Sequence, residues 1–198
     1  DERIYHREIK SLISAGYSIQ YFTRWDGEMD LSSGNLEHIN LQRKEYSLRK
    51  YIQFIVQNIE HTKILHIHEF ELLPLAKKIK QKYNSPIIYD VHEDKISMWD
   101  TFSSHSGIMK KFINTMLSKY EKQYLPCVDQ FIILNRLADK TRYETYGPIQ
   151  IIESFPLLGA LNDLQTIKNP SKLIYHGQLS EERGIITLVE AFHILSKK

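Results

Sequence analysis

The sequence predicts an α/β protein built on a mostly parallel, doubly wound sheet. Three observations carry this. Lys63 to Asp94 reads as strand, helix, strand, with apolar β-prone runs at Ile64–Ile67 and Ile87–Val91. Leu72, Leu75, Ala76, Ile79 and Tyr83 fall between them at helical spacing, and Asn84-Ser85-Pro86 ends that helix. Two strands joined by one helix make a right-handed crossover, so they are expected to be parallel neighbours. Both strands also end in polar residues, His66, His68 and Glu69 on one and His92, Glu93 and Asp94 on the other. The carboxyl ends of strands line the ligand crevice of an open α/β sheet, so chemistry is expected there.

The elements follow in order. Tyr5, Ile9, Leu12 and Ile13 form a helical stripe over Arg3 to Ala15, and Gly16 stands where a C-terminal cap belongs. Ser18–Phe22 is a strand, Thr23–Asn35 a polar loop, and Leu36–Leu41 a second strand. A doubly wound domain opens with a strand before its first helix; none is present, and an N-terminal strand is inferred to be missing. Leu48, Tyr51, Ile52, Ile55, Val56 and Ile59 mark the next helix. After the central unit, Lys95 to Gly107 reads as an irregular loop of the kind that forms lids or acceptor pockets. Met109, Phe112, Met116, Tyr120 and Tyr124 give a long helix ending before Pro126. Gln130–Leu134 is a strand, Arg136–Tyr146 a helix and Ile149–Ile152 a strand. Residues 1–156 thus form one domain, 157–171 a polar linker, and 172–198 the strand (Lys172–His176) and helix (Ile185–Leu195) that open a second, truncated one. Leu188, Val189, Phe192 and Leu195 are expected to point inward.

Composition sets the outer bounds. In 198 residues the apolar share is 42% and the charged share 25%, ordinary for a globular chain able to bury a core. A net charge of +2 gives no case for nucleic acid as a partner. The single cysteine, Cys127, excludes an internal disulfide, and no apolar run approaches the roughly 20 residues of a membrane span. A soluble, cytoplasmic protein is expected.

Several residues are candidates for chemistry. His66 and His68 share a strand face. His66 reads either as a core histidine or, with His68, as half of a metal site that His92, Glu93 or Asp94 completes. Three polar residues straight after an apolar strand cannot all be buried unpaired. Asp94 reads either as the cap of a short helix or, with His92 and Glu93, as part of a surface for a sugar or phosphate. Gly177 to Gly184 joins a strand to a helix, where a close-approaching backbone, a helix N-terminus and Arg183 suit a diphosphate as well as a plain turn. Lys110, Lys111, Lys119 and Lys122 allow a weak attraction to an anionic membrane surface.

The ordered pieces DERIYHREIKSLISAGYSI, ILHIHEFELLPLA, IIYDVHED, FIILN, ESFP and YHGQLSEERGIITLVEAF resemble the GT-B retaining glycosyltransferases. The nearest likeness is to the large nucleotide-sugar-dependent family of bacterial surface polysaccharide synthesis. The resemblance implies two Rossmann-like domains, the first taking the acceptor and the second the nucleotide-diphosphate sugar, with no metal cofactor. It implies a hexosyltransferase acting with retention on a glycan or lipid-linked acceptor, at the inner face of the membrane. By position, His92 matches the histidine that contacts the donor sugar at the reacting centre, and His68 the second strand-end histidine. Arg183 matches the cation on the donor diphosphate, with Gly177 and Gly184 flanking that loop. Gln178 stands where many members carry a second Arg, and Ser154 where Asn is common. The acidic donor-sugar motif is absent, so this chain alone is expected to be inactive. Three other readings remain: a metal-dependent hydrolase using His66, His68 and His92, a non-catalytic flavodoxin-like binding module, and a sugar-nucleotide epimerase of the same fold.

Overall fold

The computed structural model describes residues 3–59, 63–92, 94–103, 105, 107–134, 141–153, 174–177, 179 and 181–195. The chain divides into two units, Asp1–Leu157 and Leu158–Lys198.

The first unit is α/β, and its order follows local chemistry. A π-helical turn (Arg3–Ile9) runs into α1 (Lys10–Ser14). Winding with i→i+5 bonds brings residues five apart nearly in line, so Ile4 and Ile9 are the buried pair. The expected α-spaced stripe is only partly realised: Leu12 is exposed, and Tyr5 and Ile13 pack at the margin. Gly16, at φ +89°, turns the chain out of α1 in a conformation that favours glycine. β1 (Ile19–Thr23) and β2 (Leu36–Asn40) then pair in parallel, Ile19 opposite Leu36.

α2 (Leu48–Asn58) opens on Ser47, whose hydroxyl accepts from the Lys50 amide, and buries Tyr51, Ile52 and Ile55. β3 (Leu65–Ile67) leads through a 3₁₀ turn (Phe70–Leu72) into α3 (Leu73–Tyr83), with Pro74 in its first turn. Asn84, at φ +53°, ends α3 in the left-handed conformation that Asn tolerates, and β4 (Ile87–Val91) follows. Next come α4 (Lys95–Phe102), α5 (Gly107–Tyr124), β5 (Gln130–Ile133), α6 (Thr141–Glu144) and β6 (Ile149–Ile151).

β3, β4, β5 and β6 form one parallel sheet in that order, and β1 with β2 a separate pair. Strand alternation gives the larger sheet two unlike faces. Leu65, Ile67, Ile87, Tyr89, Val91, Phe131 and Ile133 share one face and are all buried, packed with α2, α3 and Leu125 in the main core. The opposite face carries His66, Ile88, Gln130 and Ile132, half-buried, and Asp90, fully buried.

The structure revises four expectations. Lys95 to Gly107 is not an irregular loop: Lys95–Phe102 is helical, because Asp94 accepts from the Ser97 amide and starts a helix there. On α5, Tyr120 and Tyr124 pack on the core, but Met109, Phe112 and Met116 are exposed, since the helix reaches the core only from Leu117 onward. The strand expected at 172–176 does not form over its described residues, Ile174–His176, where no second strand among the described residues supplies hydrogen bonds. α7 (Ile185–Leu195) has the expected bounds, yet Val189, Phe192 and Leu195 are exposed, because the described residues of this unit offer no second layer to receive them. Most of the expected helix at 136–146 and the whole 157–171 linker lie outside the described residues. Among the described residues, no helix is long and apolar enough to cross a membrane.

Candidate functional site

Parallel pairing of β3 with β4 sets Ile67 beside Tyr89, so the residues leaving both strands emerge at the same end. His68 follows β3 directly and His92 follows β4. Their Nδ1 and Nε2 atoms lie 3.2 Å apart, one ring donating to the other. Asp90 lies beneath them, with Oδ2 3.5 Å from His68 Nδ1 and 3.4 Å from His92 Nε2. The π-helical turn brings two more charges. Arg3 ion-pairs with Asp90 Oδ2, places Nη1 2.9 Å from His92 Nε2, and reaches Glu8 Oε1 at 3.0 Å. Glu8 Oε2 is 3.6 Å from His68 Nε2. His66 stacks on His68 with ring centres 4.2 Å apart.

Burial and charge order the protonation states. For Asp90, burial alone would favour the acid, but hydrogen bonding from His68 and His92 and the Arg3 charge outweigh it. Its carboxyl is held well below the usual range. Burial pushes Glu8 up, against the pull of His68 and Arg3. Burial, reinforced by His68, pushes His66 down to about 4, so it is neutral at pH 7. The result is an anionic floor, a guanidinium locked to it, and two imidazoles at 16% and 22% side-chain exposure above. Such imidazoles can exchange a proton with a hydroxyl or hydrogen-bond a phosphate, while Asp90 holds their orientation.

A cation could be held by one atom each from Glu8, His66, His68 and Asp90, which lie within 4.8 Å of one another. Glu8 Oε2, His66 Nε2 and Asp90 Oδ1 are buried without a hydrogen-bond partner, as ligands awaiting a metal would be. His92 is outside that set, and Arg3 weighs against it. A dication about 4 Å from a guanidinium is repelled by roughly 8 kcal/mol at an effective dielectric of 20.

The remaining predicted residues are placed differently. Asp94 caps α4 and ion-pairs with Arg142 at 2.7 Å, so its engaged oxygen is tied into the fold. Arg142 also approaches the buried Glu121 at 3.2 Å. Glu93 lies outside the described residues. In the second unit, exposed Arg183 ends a 3₁₀ turn (Glu181–Arg183), and Gly184, at φ +74°, leads into α7. Gly177 adopts φ +155°, and a Cβ there would come 3.1 Å from the Tyr175 hydroxyl.

Sequence reasoning missed Arg3, Glu8 and Asp90. Asp90 carried a usable signal, since a carboxylate inside Ile-Ile-Tyr-Asp-Val must be buried and therefore paired. Arg3 and Glu8 carried none, because their shared direction depends on the π winding. No protein-family model, no curated protein and no solved structure matches this chain.

Proposed function

We propose that this chain is the acceptor-side domain of a retaining, nucleotide-sugar-dependent GT-B glycosyltransferase, followed by the start of its donor domain. The observation that carries the reading is the convergence of His68 and His92 at the carboxyl ends of adjacent parallel strands. On this reading His92 contacts the donor sugar, with His68 beside it. Arg3 and Asp90 fix both rings, so that His92 presents a positioned donor rather than a rotating one. Arg183 and the glycines around it take the diphosphate, where a fixed cation stabilises the leaving group. A lipid-linked acceptor suits α5, which exposes Ile108, Met109, Phe112 and Met116 on a helix carrying Lys110, Lys111, Lys119 and Lys122.

The test is a screen of nucleotide-diphosphate sugars on the whole protein, by thermal shift and nucleotide release, with His92→Ala and Arg183→Ala beside it. One sugar nucleotide should stabilise the protein and be slowly hydrolysed. His92→Ala should abolish turnover while keeping the fold, and Arg183→Ala should raise the donor KM. Wild-type turnover in folded His92→Ala removes His92 from the mechanism. The grouping of Glu8, His66, His68 and Asp90 favours a second reading, a metal-dependent hydrolase. Stoichiometric zinc or iron on the untagged protein, lost in His66→Ala, would select it.

A further inference from the structure

Trp25 lies two residues beyond Thr23, the last residue of β1, and is 54% exposed. Thr23 pairs with Asn40, the last residue of β2, so the indole stands at the carboxyl end of a parallel pair, where ligands of α/β proteins bind. A single exposed apolar side chain is ordinary. One that is held in place from several sides is not.

The clamp starts in the interior. His38 is 8% exposed, and burial holds it below its usual pKa, so its ring is neutral at pH 7. Its Nδ1 accepts from the Leu31 amide at 3.1 Å, which leaves the ring proton on Nε2, 2.9 Å from the Thr23 hydroxyl. Thr23 donates in turn to Asn40 Oδ1 at 2.9 Å. Asn40 Oδ1 also accepts from the Trp25 amide at 3.1 Å, and Nδ2 donates to the carbonyls of Trp25 and Gly27 at 3.3 and 3.0 Å. One side chain thus holds Trp25 by both of its backbone groups.

The ring is fixed as well. The Arg43 guanidinium lies 5.7 Å from its centre, with Nε donating to the Arg24 carbonyl at 2.9 Å. Gly27 passes so close that a Cβ there would come 2.8 Å from Trp25 Nε1. A side chain at that position would push the indole from its place. A group immobilised before its ligand arrives loses little entropy on binding, which separates a binding platform from an incidental surface residue.

Size and polarity choose the occupant. Along the loop, exposed Trp25 and Met29 stand between charged neighbours, Arg24, Asp26, Glu28 and Asp30. Two apolar side chains are too few for a protein interface, which takes roughly 800 Å² from each partner. The carboxylates oppose an anionic lipid surface. One pyranose ring fits: its weakly positive C–H bonds meet the negative face of an indole, while a carboxylate and a guanidinium beside that ring bond the hydroxyls. Asp26 is oriented for this by accepting from the Lys44 amide at 3.0 Å through one oxygen.

We infer that Trp25 is a carbohydrate platform that stacks on one pyranose ring of a glycan. Asp26 and Arg43 bond the ring hydroxyls, and Asn40 is the positioning residue behind the indole. Taking that glycan as the acceptor rests on the glycosyltransferase reading; the platform itself does not.

The chain has two tryptophans, Trp25 and Trp99, so Trp99→Phe assigns both indole N–H signals in proton–nitrogen correlation spectra. The probes are methyl glucoside, methyl galactoside, methyl mannoside and methyl N-acetylglucosaminide, each titrated through the millimolar range expected of a single stacked ring. At least one should move the Trp25 Nε1–H signal saturably and leave Trp99 in place. In saturation-transfer spectra, Trp25→Ala should lower the signal of that glycoside about tenfold, and Trp25→Phe should recover part of it. No saturable shift at Trp25 with any of the four, or equal transfer in wild type and folded Trp25→Ala, overturns the inference. Should Trp25→Ala fail to fold, the wild-type shift decides. Nucleotide-diphosphate sugars added to the same samples keep the two readings apart. A donor response without a Trp25 shift sinks the platform alone. A Trp25 shift without a donor response leaves a sugar-binding site and sinks the transferase.

Discussion

Replacing Arg3 with Met removes the cation from the floor of the site while keeping much of its length and apolar stem. Arg3 is 12% exposed and Asp90 wholly buried, so the variant leaves a buried carboxylate without its main counter-charge. Breaking a buried pair from one side costs about 3–5 kcal/mol. Asp90 keeps its two imidazole neighbours at 3.5 and 3.4 Å, which places the expected loss near the lower end, about 3 kcal/mol. In a unit of this size that is a fall in Tm of roughly 6–12 °C. Urea denaturation at pH 7 of wild type, Arg3→Met, Asp90→Asn and the double variant measures it. The double variant should fall short of additivity by at least about 1.5 kcal/mol, because Asp90→Asn leaves no charge for the cation to offset.

The pH dependence follows from the same pair. Asp90 titrates lower in the folded protein than unfolded, so its contribution is complete above about pH 4 and fades as pH falls through the folded value. The gap between wild type and Arg3→Met should narrow in acid. A loss under about 1 kcal/mol at pH 7, or strict additivity, would refute the coupling of Arg3 to Asp90.

Two further outcomes concern the buried group beneath α4. Burial raises Glu121 to about 7, against the attraction of Arg142. A carboxyl that titrates higher when folded stabilises below its unfolded value and loses that contribution as pH rises through its folded one. Between pH 4.5 and 7 the stability of wild type relative to Glu121→Gln should therefore decline, by about 2 kcal/mol; a constant difference in paired denaturation curves would contradict this. His66, lowered by burial, drives the opposite trend in both proteins and cancels in the comparison. Asp94→Ala should cost about 1–2 kcal/mol through the lost cap and unwind α4, seen as reduced helical circular dichroism; an unchanged spectrum would separate the cap from the helix.

Much of the fold could be read from residues that touch their neighbours in sequence. The stripe from Leu48 to Ile59, the Pro74 start and Asn84 stop of α3, and the apolar runs of β3, β4 and β5 all express local period and local breakers. The failures arise where partners are distant or missing. Lys95 to Phe102 looked irregular because Asp94 was weighed as a ligand as well as a cap. Met109, Phe112 and Met116 have a core-facing spacing, but spacing does not say whether a core lies opposite. In the site, His68 and His92 were legible because strand ends converge by rule. Arg3 and Glu8 were not, since nothing near them in sequence signals an approach to Asp90.

The π-helical turn over Arg3–Ile9 has a consequence for how this protein can vary. A π turn amounts to an α-helix carrying one inserted residue, with the excess accommodated as a bulge. Deleting one residue between Arg3 and Glu8 would let the segment relax to ordinary α winding and restore common helical spacing. The apolar contacts of Ile9 could survive that change. The guanidinium and the carboxylate would then stand four residues apart, about 40° from each other on an α-helix, and could still face the strand ends together. Winding and residue count are thus matched in this turn: α winding without the deletion would set Arg3 and Glu8 about 140° apart and take one of them away from the strand ends. Chains of this type that are shorter by a single residue here, and wound as an α-helix, would keep both the framework and the electrostatic floor.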